Sequence, residues 1–206
     1  EDELNITLEN SLNKLKVNQL YGYLAHRPQT IFQNPNLWEE LLKLKSENKI
    51  LNIGFSVNKI SEFEKINKLK FKPDIIQLPF NLLDNRFKKV IESSNQTGTT
   101  VYSRSTFLQG VFFLDPDKLE GKFREFDSSL RDLKSICLAE GLDIADLALS
   151  YALKQTGIHK VLIGIQNFDQ FKNNVDSISR DISQKTFDRI RRISINNKEL
   201  LNPSNW

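Results

Sequence analysis

The sequence predicts an α/β fold, a TIM (β/α)8 barrel of which these 206 residues carry five strand units with their helices. Three observations point there. Short segments, apolar on both faces, alternate with helix-length stretches, as in a parallel sheet covered on each side. Polar residues stand where the apolar segments end: His26-Arg27-Pro28, Gly54-Phe55-Ser56, Gln77 and Arg104-Ser105. Strand tips are where such a barrel carries its chemistry. No glycine-rich loop follows any strand, and the eight glycines form neither G-x-G-x-x-G nor G-x-x-x-x-G-K, which argues against Rossmann and P-loop folds.

The elements follow in order. Leu20 to Ala25 reads as the first strand, and Leu37 to Glu47 as a helix with Leu37, Leu41 and Leu44 on one face. Ile50 to Phe55 is the second strand. A capping box of Ser61 and Glu64 is expected to open a helix that buries Phe63, Ile66 and Leu69. Strand Asp74 to Leu78, a helix over Arg86 to Ser94 and strand Thr99 to Tyr102, entered through Gly98, come next. A longer excursion runs from Phe107 to Gly121, with Asp115-Pro116-Asp117 as a turn. Helices over Phe123 to Glu140 and Asp143 to Gln155 precede a fifth strand, Lys160 to Ile165. The last unit is a helix capped by Asn167 with Phe168, Phe171 and Val175 at helical spacing, then a helix over Gln184 to Ile193 and a tail. No linker or low-complexity tract interrupts the pattern, so residues 1–206 are expected to form a single domain.

Composition narrows the function classes. A chain with 39% hydrophobic and 27% charged residues can bury a substantial core. The net charge of +3 is spread along the sequence rather than gathered in one arm, which speaks against nucleic acid as a partner. Apolar runs are strand-sized, so no membrane helix is expected, and the start Glu1-Asp2-Glu3 lacks the pattern of a secretion signal. The single cysteine, Cys137, fits a reducing cytoplasm and reads as a structural thiol between Ile136 and Leu138. The sequence contains no methionine, and the chain is expected to begin downstream of its natural start. No metal-ligand cluster is expected.

Five runs, in order, resemble the aldo-keto reductase family. Ser11-Leu12-Asn13-Lys14-Leu15 through Tyr23-Leu24-Ala25-His26-Arg27-Pro28 is similar to the family's fourth strand and its histidine. Asn48-Lys49-Ile50-Leu51-Asn52-Ile53-Gly54-Phe55-Ser56 resembles the fifth strand, Asp74 to Asp84 the sixth, and Tyr102-Ser103-Arg104-Ser105-Thr106-Phe107-Leu108-Gln109-Gly110 the seventh. Val161-Leu162-Ile163-Gly164-Ile165, with Gln170, Asn173 and Asn174 beyond it, resembles the eighth. The tail Leu201 to Trp206 is similar to the ending of bacterial members, including some linked to surface-polysaccharide metabolism.

The resemblance implies reduction of a small-molecule carbonyl, with a sugar among the candidates, by NADP(H) or NAD(H). It implies that His26 orients the carbonyl, that Ser56 and Gln77 hold the nicotinamide carboxamide, and that Arg104 lies against the ring. Ser105 and the backbone around Leu108 and Gly110 match the loop over the pyrophosphate. Asn174 matches an adenine contact. Taken bare, each of these is also an ordinary polar strand terminus or helix-surface residue. Val57 stands where the family usually has asparagine, and Gln166 and Gln170 stand where a lysine or arginine holds the 2′-phosphate, so cofactor preference is left open. Phe32, Trp38 and Phe112 are candidates for lining a substrate pocket, and Phe112-Phe113-Leu114 reads as a lid or contact surface.

One part of the family's chemistry lies upstream. The family protonates the carbonyl oxygen with a tyrosine tuned by a lysine and an aspartate, all from strands preceding the one that bears the histidine. By strand alternation Tyr21 and Tyr23 should face away from His26, Tyr102 should lie a layer below Arg104, and Tyr151 falls on a helix. His159 precedes its strand, at the end of a barrel that serves stability. Two expectations follow: an incomplete reductase whose first three strands lie outside this sequence, or a truncated relative that binds a ligand or partner without catalysis.

Overall fold

A computed structural model describes residues 2–206; Glu1, part of the charged start, lies outside the described residues. The chain forms two compact units, one of residues 1–78 and 92–101, the other of residues 79–91 and 102–206. The strands β1 (Leu20–Ala25), β2 (Ile50–Ser56), β3 (Ile75–Pro79), β4 (Thr100–Arg104) and β5 (Lys160–Val161) follow one another in sheet order β1-β2-β3-β4-β5. The resolved pairings are parallel, as apolar strands joined by helical crossovers must be.

In the first unit, helix α1 (Asp2–Leu15) leads to β1, and α2 (Pro28–Gln33) and α3 (Asn36–Ser46) lead from β1 to β2. Trp38 stacks on Phe55 with ring centroids 4.8 Å apart and planes 8° from parallel, and Phe71 packs 5.2 Å from Trp38. Trp38 is therefore core, buried with Leu41 and Leu44, while Leu37 is only half-buried. The α3 stripe is shifted by one residue from the expected one because the indole fills more of the space beside Phe55. Asp74 ties this unit together. Both its carboxylate oxygens accept from Lys45 Nζ at 2.6 to 2.7 Å, one accepts from Ile53 N at 2.9 Å, and its carbonyl accepts from Thr100 N at 2.8 Å.

Helix α4 (Ile60–Lys68) corrects the expected cap. Glu62, not Glu64, turns back to accept from Asn58 N at 2.6 Å and Lys59 N at 3.0 Å, so the cap falls at Lys59 and the helix starts two residues early. Phe63 and Ile66 are buried as expected, but Leu69 is the C-cap and exposed. Helix α5 (Lys88–Gln96) runs two residues later than expected, and its chain leaves through Gly98 at φ +77°. The six-residue α2 was not anticipated; Pro28 sits in its first turn, where a missing N–H costs nothing.

In the second unit, α6 (Asp127–Glu140) and α7 (Ile144–Lys154) bury Leu130, Leu133 and Ile136, and Leu147, Ala148 and Tyr151. Tyr151 stacks on Phe80, centroids 5.3 Å apart, packs 4.7 Å from Phe187, and donates its hydroxyl to Asn85 Oδ1. The excursion after β4 folds as 3-10 turns at Leu108–Phe113, Pro116–Lys118 and Gly121–Phe126, so α6 starts at Asp127 rather than Phe123. Asp115 caps the middle turn through Asp117 N. Phe112 is buried, not pocket-lining, whereas Phe113 and Leu114 are exposed.

Near the C-terminus one expected strand is shortened and one apolar stripe lies open. The fifth strand has two residues, not six; just past it Leu162 N donates to Ser103 O at 2.8 Å. Helix α8 (Phe168–Ser177) is capped by Asn167, whose side chain accepts from Gln170 N at 2.9 Å, but its apolar stripe is not buried. Phe168, Phe171 and Val175 are 74%, 48% and 47% exposed, because none of the described residues covers that face. The final helix, α9 (Gln184–Ile190), buries Thr186, Phe187 and Ile190. Among the described residues no helix is long and apolar enough to cross a membrane.

The packing of β2 on β3 makes a direct prediction. A Cβ on Gly54 would stand 1.8 Å from the Ile75 carbonyl oxygen, whereas one on Gly22 would meet only the flexible Ile75 Cδ1 at 3.1 Å. Gly54→Ala should therefore lower unfolding free energy in urea by about 3 kcal/mol or more, beyond ordinary overpacking, and Gly22→Ala by clearly less.

Candidate active site

Parallel register places the first group of predicted residues. Ala25 pairs with Phe55, so His26 follows one step beyond β1 at the height of Ser56, and Ser56 pairs with Gln77. The Ser56 hydroxyl, buried, donates to Gln77 Oε1 at 3.4 Å, and the Gln77 carbonyl accepts from Val57 N at 2.8 Å. A hydroxyl and a primary amide side by side offer both donors and acceptors, the set that a carboxamide ligand requires. His26 is exposed and lines a cavity of about 350 Å³ with Tyr23, Ala25, Arg27, Ile31 and Leu41 among others. Tyr23 and His26 both line this cavity, as do Leu24 and Ala25 between them. Burial pushes the Tyr23 hydroxyl above its ordinary pKa, the wrong direction for an activated acid.

The second group lies in the other unit. Arg104 Nη1 donates to Ser105 Oγ at 3.2 Å, and Arg104 O accepts from Phe80 N at 3.1 Å. Beyond Arg104 the backbone is left-handed at Ser105 (φ +62°), Leu108 (φ +44°), Gln109 (φ +52°) and Gly110 (φ +91°). Outside glycine such residues cost of order 1–3 kcal/mol each. The other non-glycine left-handed residues, Lys16, Asn48 and Lys70, follow helix ends, where Val17 N, Lys49 N and Phe71 N bond back to Leu12 O, Leu44 O and Ile66 O. No helix end accounts for the residues at 105, 108 and 109. Phe107 (φ −99°, ψ 11°) is followed by left-handed Leu108, and the loop closes on itself: Leu108 N donates to Ser105 O and Gly110 N to Phe107 O, each at 2.9 Å.

Gln109 and Gly110 also line a cavity of about 570 Å³ with Val111, Phe113, Phe123 and Trp206 among others. Trp206 packs edge-on against Phe123, centroids 5.3 Å apart, and donates Nε1 to Leu200 O at 2.9 Å. The third group, Gln166, Gln170 and Asn174, lies at the start of α8. Gln170 Oε1 accepts from Gln166 N at 2.8 Å, both glutamines are exposed, and Asn174 is half-buried.

Two residues escaped the sequence reading. Asn81 is fully buried, and its carboxamide bridges the turn at residues 81–84 to Ser105; the sequence signal was an asparagine with polar Asp84 three residues on. Asp84, also fully buried, holds Arg86 through Nε and Nη2 at 2.8 Å, which raises the guanidinium pKa. Among tyrosines, Tyr151 is driven well above its ordinary value by burial. No group of three or more metal-ligating side chains occurs among the described residues.

The parallel strands with their polar tips define an α/β barrel-type protein. A family model described as the aldo/keto reductase family matches residues 2–195, and the chain belongs to that family. Among solved structures it is similar to an aldo-keto reductase of Bacillus halodurans in its apo form, at 21% identity and a TM-score of 0.74 over 91% of this chain. The holo form of that enzyme gives 21% identity and 0.73 over 90%, and a thermostable aldo-keto reductase in complex with the inhibitor epalrestat gives 19% and 0.71 over 92%. The chain spans 66%, 65% and 65% of those chains, about two thirds of their length. At these identities the likeness establishes the fold. The family in general uses nicotinamide cofactors on small-molecule carbonyl substrates.

Cys137 carries a prediction of its own. Burial first, then the charges of Asp143 and Asp146, push its thiol up to about 11, so at pH 8 the thiolate fraction is on the order of 0.001. Labelling by a disulfide reagent at pH 8 should be about 100-fold slower in the folded protein than in urea. Equal rates would make Cys137 a reactive thiol.

Proposed function

We propose that this chain is the carbonyl-orienting and cofactor-holding part of an NAD(P)H-dependent aldo-keto reductase, which converts a carbonyl to an alcohol by hydride transfer. The observation that carries the reading is the row at the ends of β1, β2 and β3: His26 at the height of Ser56, and Ser56 at 3.4 Å from Gln77. The bound dinucleotide supplies the hydride. His26 donates a hydrogen bond to the substrate carbonyl and fixes its orientation; Ser56 and Gln77 hold the carboxamide, which selects the ring face. Arg104 lies flat against the ring. Ser105 and the backbone at Leu108 and Gly110 take the pyrophosphate, and Gln166, Gln170 and Asn174 take the adenosine end. The substrate is a small carbonyl compound, a sugar among the candidates, met in the cytoplasm.

The proton comes from elsewhere. Tyr23 and Tyr151 are both pushed above the ordinary tyrosine range, where the family's chemistry needs a tyrosine tuned downward. The reading therefore assigns the acid, with its lysine and aspartate, to polypeptide upstream of residue 1. That same observation favours a second reading for the 206 residues alone, a module that binds its ligand without turnover.

These readings separate in one assay. The 206-residue chain should bind NADPH or NADH yet give no carbonyl-dependent loss of their absorbance, whereas the chain joined to its upstream segment should reduce members of a panel of aldehydes and sugars. No turnover in the joined protein would sink the reductase reading. In that protein His26→Ala should lower kcat by about 100-fold or more while leaving dinucleotide Kd within about twofold, since general acid and orienting groups contribute roughly that much. Equal losses in both would remove the role of His26.

Cofactor selectivity gives a further outcome. Neutral Gln166 and Gln170 can donate hydrogen bonds to a 2′-phosphate but supply no charge, so NADPH and NADH should bind with similar affinity. Gln166→Arg should shift preference toward NADPH by about tenfold, the increment of a charge-assisted bond. Gln170 is the poorer site for that change because its Oε1 already accepts from Gln166 N.

A further inference from the structure

We propose that Asn81 is a positioning residue: its buried carboxamide clamps the Ser105 carbonyl and so holds the left-handed loop from Ser105 to Gly110 in the shape that receives the dinucleotide. This rests on the reading of that loop as the pyrophosphate contact. Asn81 is fully buried, and each end of its side chain is used. The oxygen accepts from Leu83 N and Asp84 N, both at 3.0 Å, which locks the turn after β3, and the nitrogen donates to Ser105 O at 3.1 Å. The turn is itself a fixed platform. Its backbone closes on itself between Asn81 and Asp84, buried Asp84 grips Arg86, and Phe80 is stacked on Tyr151.

On the other side of the clamp, Ser105 O also accepts from Leu108 N at 2.9 Å. One carbonyl thus joins the platform to the loop's own turn. Three of the residues from 105 to 109 are non-glycine and left-handed, a conformation that L side chains avoid and that reverts unless the surroundings dictate it. Leu108, fully buried, anchors the loop at its middle. The Asn81 amide fixes its beginning. Without that amide, left-handed Ser105 (φ +62°) is held only by the Leu108 N–H on its carbonyl and by Arg104 Nη1 on its hydroxyl, both contacts within its own loop, and the tie from the loop to the turn after β3 is gone.

The test uses the whole chain with NADPH and NADH as probes, titrated by fluorescence, together with amide hydrogen exchange read segment by segment. Asn81→Ala should raise the Kd of whichever dinucleotide binds by about tenfold and strip protection from residues 105–110 while that of β1 and β2 is kept. Asn81→Ser covers the case in which alanine fails to fold. A serine oxygen can still cap the turn at residues 81–84 but is too short to reach Ser105, so it should show the same pattern. Unchanged Kd and unchanged loop protection in Asn81→Ser would overturn the proposal, as would protection lost equally over the whole chain, the mark of a merely structural residue. Wild-type protein that binds neither dinucleotide would instead sink the reading of the loop, and the exchange data would report separately whether the clamp exists.

Discussion

Parallel register between β1, β2 and β3 is the constraint on which the site depends. Because side chains alternate with period two, a slip of one residue would send Ser56 or Gln77 to the opposite face and break the row with His26. Register is pinned by two features that leave little freedom. Gly54 admits the Ile75 backbone so closely that no other residue fits, and Asp74 binds Lys45, Ile53 N and Thr100 N from three directions. Their joint effect is to set the start of β3 against β2, so the polar pair at the other end follows from geometry fixed several residues earlier.

The strands were legible because their signal is collective: several apolar residues in a row, bounded by polar ones, outweigh any single exception. So were the polar tips, the turn at Asp115-Pro116-Asp117 and the cap at Asn167, where a short side chain has one obvious partner in the next turn. What failed was decided by neighbours distant in sequence. Trp38 displaced Leu37 from the core of α3 because Phe55 offers it a face to stack on, and Glu62 took the capping role because its carboxylate reaches two backbone donors. The stripe of α8 has the spacing of a buried face yet is exposed, since spacing states which residues share a face and says nothing of what covers it.

The site divides by how it was readable. Ser56 and Gln77 could be placed from strand ends alone, since strand geometry dictates where a terminal residue stands. Ser105, Leu108 and Gln109 carry no residue-type signal for a left-handed backbone; asparagine or glycine would have announced it. Their conformation is imposed by Asn81 and by the burial of Leu108, contacts formed only once the chain has folded. Where tertiary contacts override local preference, the sequence is silent by construction.

That override also ranks the two groups energetically. The strand row sits at the ends of extended strands, with Ser56 donating to Gln77, so it asks for no left-handed backbone. The loop concentrates strain in five consecutive positions, at roughly 1–3 kcal/mol for each non-glycine left-handed residue, and the helix-end caps that relieve Lys16, Asn48 and Lys70 are absent there. A relaxed alternative was open: glycine at both 105 and 109 would relieve two of the three strained positions. The chain instead ties Ser105 to the buried Asn81 amide. Strain maintained by a dedicated hydrogen bond is costly to keep without use, and the dinucleotide contact proposed for this loop would give it one.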